Sequence, residues 1–351
     1  MDIGYRMWTG CWGQHLSARK SDTTARLSGA MTAANNDSNY TFPVTVEDGA
    51  RPIDFVFTGS LSGDVPKFTF SGGGTMKTTG SWDISANPSL TSMTWLMDNV
   101  GKTAGSGKGN LTVGADGTLG GTGTFGGAVA SQVLTVSGTP AKPATLAPGT
   151  MTEAGEHVYG TFAVGSESVT NTLVLGTGSR LLVTVGSDGC DALRVNGVMR
   201  IAESGSVLQV AAADGFAGGG PIVLAEATGG IVGDFATLIL PEGEDWTVRR
   251  TATRIELAAA HPSFAIGADL PEGVQPLERR SDGSYVVRLG ASLVGFTYAL
   301  EYATTLEDPE WLPVEGAVTN GGSAPLELSV PAALTADQPA LFLRVTVRSV
   351  R

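Results

Sequence analysis

The sequence predicts an all-β protein, most of it a solenoid, and three observations carry that reading. Between Gly107 and Gly149, apolar couplets such as Leu111/Val113 and Leu134/Val136 lie two residues apart, the period of a strand, with no helical period beneath them. The couplets close on turn signals (Gly114-Ala-Asp-Gly117, Gly120-Gly121, Gly126-Gly127, Ser137-Gly138), so tight corners recur roughly every six to ten residues. Glycine supplies 49 of 351 residues, about twice its usual share, without a Gly-X-Y period, while Thr, Ser and Val replace helix formers.

In chain order, residues 1–38 read as irregular. Trp8, Cys11 and Trp12 are candidates for packing there, and Ala33-Ala-Asn-Asn-Asp-Ser38 has loop chemistry. Strands begin at Tyr40, where Tyr40, Phe42, Val44 and Val46 alternate before the Glu47-Asp-Gly49 turn. Phe55/Phe57, Phe68/Phe70, Trp82/Ile84 and Met93/Trp95/Met97 continue the alternation. Past Gly149 it resumes at Phe162/Val164, Leu173/Leu175, Leu181–Val185, Leu193/Val195, Val207–Val210, Ile222/Leu224, Leu238/Leu240 and Ile255/Leu257. No single coil of this kind buries its own inward side chains. Coils must therefore stack, with strands ~4.8 Å apart, around a shared apolar column. Residues 39–258 are read as this solenoid, with coils of ~20 residues and on the order of seven turns between residues 110 and 258.

The pattern changes at Ala258-Ala-Ala-His-Pro262. From residue 262 to 351 strands lengthen and glycines thin out. Tyr285/Val287/Leu289, Phe296/Tyr298/Leu300/Tyr302, Leu326/Leu328/Val330 and Leu341/Leu343/Val345/Val347 alternate, and Trp311 reads as a buried tryptophan. Several strands in about 90 residues suit a small β-sandwich of immunoglobulin or fibronectin type.

The formal net charge of −12 argues against nucleic acid and against anionic lipid as partners, since both need a basic face. No run of 18 apolar residues occurs, so no membrane insertion is expected of this chain. Cys11 and Cys190 lie far apart and fit no ligand spacing, which excludes a disulfide framework and a zinc site as expectations. The opening MDIGYRMWTGCWGQHLSARK lacks the continuous apolar core and cleavage site of a signal peptide, so the expectation is a start downstream of the natural one.

Three stretches, Gly105-Ser-Gly-Lys-Gly-Asn-Leu-Thr-Val113, Gly117-Thr-Leu-Gly-Gly-Thr-Gly-Thr-Phe-Gly-Gly127 and Ala144-Thr-Leu-Ala-Pro-Gly149, make the middle of the chain resemble the autotransporter-associated β-strand repeat family. Asp191-Ala-Leu-Arg-Val-Asn-Gly197 and Leu240-Pro-Glu-Gly243 with Trp246 resemble its later coils, and the match spans roughly residues 95–258. The resemblance implies a right-handed parallel β-helix, extracellular or on the surface of a Gram-negative-type bacterium. It also puts Asp191 at the family's usual strand-start position, where a carboxylate caps backbone. The chain departs from the family in ending without a long membrane β-barrel.

Chemistry-bearing motifs are few. Gly121-Thr-Gly-Thr-Phe-Gly126 spells G-x-G-x-x-G, but couplets continue on both sides where a dinucleotide site needs a following helix. Gly101-Lys-Thr-Ala-Gly-Ser-Gly-Lys108 imitates a phosphate loop, yet Gly109 stands where Ser or Thr is required. His15, His157 and His261 have no partner at helical or strand spacing, and no G-x-S-x-G elbow occurs. A polysaccharide-cleaving site would draw on Asp188 and Asp191, with Arg194 as its basic residue; Asp188-Gly189 alternatively shapes a turn. Trp82, Trp95, Trp246 and Trp311 all sit in alternating runs and are expected in the core.

The expectation is a non-enzymatic surface or secreted solenoid, a structural stalk or adhesion module, with no catalytic, cofactor or metal residue assigned. Its partners would be host or matrix glycans or proteins, and the chain would be a monomer. The alternatives are a β-helix polysaccharide lyase or hydrolase, and a glycan-binding protein using Tyr298, Tyr302 and Trp311.

Overall fold

Period-two couplets with glycine corners force the chain to turn every few residues, so each strand finds its partner one coil away. The computed structural model describes residues 15–34, 41–64, 67–84, 87–99, 109–127, 129–213, 216, 221–242, 246–259, 274–289, 296–307, 309–320, 326–336 and 340–349. It divides into two units, one holding nearly all residues to Leu257 and the other Ala258–Arg351 with two short earlier pieces.

In the first unit, one sheet takes nine parallel strands in chain order: Leu16–Ala18, Thr41–Val46, Lys67–Ser71, Ser89–Leu90, Leu111–Val113, Val133–Val136, Asn171–Leu175, Gly197–Ile201 and Ile231–Val232. A second sheet takes the following strand of each coil, from Ala25–Leu27 to Thr237–Ile239, again nine and parallel. A third side comes in two pieces. Met31–Ala34, Leu61–Asp64 and Trp82–Ile84 form one; Thr124–Phe125, Thr161–Val164, Ala192–Val195 and Ile222–Ala227 form the other, closed by Arg254–Ala259 and Trp246–Arg250. Visiting each side in turn and returning one strand further on is the topology of a parallel β-helix. Nine strands stack ~38 Å high at ~4.8 Å each.

Two differences from the sequence reading are structural. Residues 1–38 read as irregular, yet Leu16–Ala18, Ala25–Leu27 and Met31–Ala34 are the first strands of the three sides. Their alternation is too short to register alone and becomes strand only by pairing with Thr41–Val46, Phe55–Phe57 and Leu61–Asp64. Trp8, Cys11, Trp12 and most of the 33–38 loop lie outside the described residues. Residues 110–258 make five passes through the first sheet rather than seven, because some coils carry long corner insertions.

The core is a set of columns in register. Val44, Phe70, Leu90, Val113, Val136, Leu175 and Ile201 stack on one another along the first sheet, all buried. The early coils are filled by rings: Phe70 and Trp95 lie 4.8 Å apart, Trp82 and Trp95 4.9 Å, Phe42 and Phe68 5.2 Å. Trp95 Nε1 donates to the Thr78 hydroxyl at 2.9 Å, which makes its burial affordable. Corners stack as tightly. A Cβ at Gly80 would stand 1.6 Å from the Gly59 carbonyl oxygen, so only glycine fits there.

The second unit holds two three-stranded antiparallel sheets. One comprises Leu277–Arg279, Tyr285–Leu289 and Leu326–Val330; the other comprises Leu312–Asn320, Phe296–Ala303 and Phe342–Ser349. Val287, Leu289, Tyr298, Leu300, Val314, Leu328 and Val330 belong to one buried cluster. The structure corrects the expectation for two tryptophans: Trp246 is partly exposed, and Trp311 is half-buried under the Arg344 guanidinium, 4.4 Å from its ring.

Candidate functional site

A solenoid corner leaves backbone N–H groups that no ladder pairs, and polar side chains must satisfy them. Asn87 Oδ1 accepts the Asn110 N–H at 2.9 Å, and Asn110 Oδ1 accepts the Val133 N–H at 2.8 Å one coil further on. Asn171 Oδ1 accepts the Gln132 N–H at 2.8 Å. Asp54 accepts from the N–H groups of Gly49 at 2.7 Å and Thr75 at 2.8 Å. Asp98 accepts the Thr122 N–H at 2.8 Å and the Thr150 hydroxyl at 2.6 Å, and pairs with Lys77 at 2.9 Å.

Asp191 is the most enclosed of these carboxylates. It accepts the N–H of Gly160 at 3.2 Å and of Thr184 at 3.1 Å, and its Oδ2 lies 3.0 Å from His157 Nε2. Gly149 makes room for it: φ there is +89°, and a Cβ would stand 2.2 Å from Asp191 Oδ1. Burial pushes the Asp191 carboxyl above the ordinary carboxylate range, and His157 and the two N–H donors draw it part of the way back. Tyr159 stands edge-on to His157 at 5.0 Å and packs under the Gly186–Gly189 turn. Burial, and then the Asp191 charge, push the half-buried Cys190 thiol up, which keeps it protonated and weakly nucleophilic. Both oxygens of Asp191 are thus committed to holding neighbouring coils and the His157 ring.

His157 reaches Asp191 from a hairpin, Thr150–Met151 paired antiparallel with His157–Val158. The hairpin lies over an outward row of the second sheet: Arg26, Val56, Lys77, Leu96, Gly120 and Ala147 in register. Arg26 pairs with Glu153, Lys77 Nζ donates to the Met151 carbonyl at 2.9 Å, and Thr150 is held by Asp98. Val56 and Leu96 point outward by strand period, yet each is only 4% exposed.

On the outer face of the third side, Thr124, Ala163, Arg194, Glu226 and Arg254 form another row in register. Beside Arg194 a notch of about 240 Å3 is lined by Thr124, Ala163, Gly165, Glu167, Arg194 and Asn196, with Ser166 completing it. Arg194 Nε lies 3.4 Å from Glu226, and Arg254 approaches the same carboxylate at 4.0 Å.

The residues singled out in the sequence fall as follows. Asp188 is exposed in the Gly186–Gly189 turn and accepts from the Ser187 hydroxyl at 3.0 Å; Asp191 is buried, and Arg194 belongs to the notch. The partners of Asp191 are Gly160, Thr184 and His157, not Asp188 or Arg194. None of the histidines was expected to have a partner at helical or strand spacing; His157 finds one outside either spacing, in Asp191 on another coil. His15 is exposed before the first strand, and His261 lies outside the described residues. The G-x-G-x-x-G glycines carry strands, Thr118–Gly121 and Thr124–Phe125, and a Cβ on Gly121 would meet Met97 backbone at 2.2 Å; the phosphate-loop mimic at 101–108 lies outside the described residues. Of Tyr298, Tyr302 and Trp311, Tyr298 is 1% exposed. Among the described residues, no cluster of three metal-ligating side chains occurs, and no helix is long and apolar enough to cross a membrane. Lys77, Glu153, Tyr159, Glu167 and Glu226 escaped the sequence reading; only the repeated Asn87/Asn110 position carried a readable signal of corner caps. Fold and corner chemistry together define an all-β protein of stacked parallel coils. Compared with known proteins, the chain matches no family model and no curated protein.

Proposed function

We propose that the chain is a non-enzymatic β-solenoid, secreted or on a bacterial cell surface, that serves as a structural stalk or adhesion module. The observation that supports this reading is the use of its polar side chains. Asp54, Asp98, Asn110, Asn171 and Asp191 are spent on the backbone of adjoining coils. A general acid or base must instead be aimed at a reacting atom. On the same reading the winding is right-handed, the hand that nearly all parallel crossovers take. The two antiparallel sheets of the second unit form an immunoglobulin- or fibronectin-like sandwich, and the coils are autotransporter-associated repeats. The partners are host or matrix glycans or proteins, engaged by a monomer.

The test uses beads coated with the full chain. Retention on surfaces of extracellular-matrix protein or glycan is expected, with no depolymerisation of a panel of uronate polymers. Release of new chain ends that disappears in Asp191→Asn overturns the reading in favour of a polysaccharide-cleaving enzyme.

A further inference from the structure

We propose that the notch beside Arg194 binds a neutral hexopyranose ring of a glycan. The notch arises from side-chain size along one row: Ala163 is the short member next to Arg194, so the floor drops between them. Its wall is preformed. The Ser166–Val169 turn closes with reciprocal backbone hydrogen bonds of 3.0 Å, and Asn196 Nδ2 donates to both the Ser166 and Val169 carbonyls. Gly165, at φ +82°, permits that turn; a Cβ there would stand 2.5 Å from the Val169 oxygen. A wall built before the ligand arrives lowers the ordering cost of binding.

The chemistry of the lining sets the ligand class. Arg194 is half-exposed and steadied by Glu226, which Arg254 holds in turn. Its guanidinium only donates hydrogen bonds, and the Glu167 carboxylate in the same notch only accepts them. Ring hydroxyls do both, so a sugar satisfies the two together. The Thr124, Ala163 and Gly165 floor offers no deep apolar hole, which favours a flat ring over a peptide side chain. About 240 Å3 suits one ring rather than a drug-sized ligand. The chain's net charge of −12 disfavours polyanionic glycans.

This inference rests on the adhesion reading in naming the kind of partner; adhesion through protein contacts would survive its failure. The full chain is mixed separately with D-glucose, D-galactose and D-mannose, and saturation-transfer NMR follows the sugar ring protons. Transfer to at least one sugar is expected. Ala163→Leu, which fills the notch from an outward-facing position, and Arg194→Gln are both expected to abolish it without moving the melting temperature. Should Ala163→Leu lower that temperature, Glu167→Gln takes its place beside Arg194→Gln. Transfer to none of the three sugars overturns the proposal. So does transfer that persists in the filled or neutralised notch, or transfer confined to a Gly-Ser-Gly peptide run as a control.

Discussion

Asp191 shows what a buried carboxylate costs a fold that needs it. Its folded-state acidity is shifted upward, mainly by burial. Below the ordinary carboxylate range both folded and unfolded chains carry the proton. As pH rises from that range toward the raised folded value, the unfolded chain releases the proton first, so stability falls across that window. Asp191→Asn should remove this fall from a profile of urea midpoint against pH. It should also lower stability by about 1–3 kcal/mol at acidic pH, because the amide nitrogen cannot accept from Thr184 or Gly160. Gly80→Ala tests the corner stack: its Cβ would collide with the Gly59 carbonyl, and a loss of about 1–3 kcal/mol in chemical denaturation is expected. A capping role for Asp191 was expected only through the family resemblance. The His157 contact was not, because nothing local links residues on separate coils.

At the scale of elements, period-two alternation located most strands but misjudged which faces are covered. Leu96 lies on the outward row of the second sheet, where the sequence pattern assigns solvent, yet it is buried beside Lys77, whose ammonium is held by the Thr150–Val158 hairpin. The sequence reading passes over that hairpin, since its strands are only two residues each and its anchors, Arg26, Lys77 and Asp98, come from distant coils. Leu96→Ala should therefore behave as a core truncation and cost about 2 kcal/mol or more. Leu182→Ala, on an outward and partly exposed position of the same sheet, should cost less. Thermal melts of the two variants beside the parent chain decide it; equal losses would mean the hairpin shields nothing.

For the whole molecule, the all-β class was readable because apolar couplets of period two are closed by glycine corners along the chain. The number of coils was not. Coil length varies with what the corners carry, and an estimate built on an average period counts insertions as turns. In a stack where each coil touches only its neighbours, stability is close to a sum of unit and interface contributions. Local changes should accordingly spread little beyond the adjoining coils, and hydrogen exchange in Gly80→Ala should rise most in the strands flanking that corner.

The asparagine pair at the entrance to the first sheet has an implication for how such a chain can grow or shrink. Asn87 holds the amide of Asn110 in the same way that Asn110 holds the amide of Val133. Excising residues 110–132 would bring Val133 to the acceptor vacated by Asn110 and take one rung from every side at once. The shortened protein should still melt cooperatively by circular dichroism, at a lower temperature. Whole turns would then be interchangeable parts, gained or lost by recombination without reworking their neighbours.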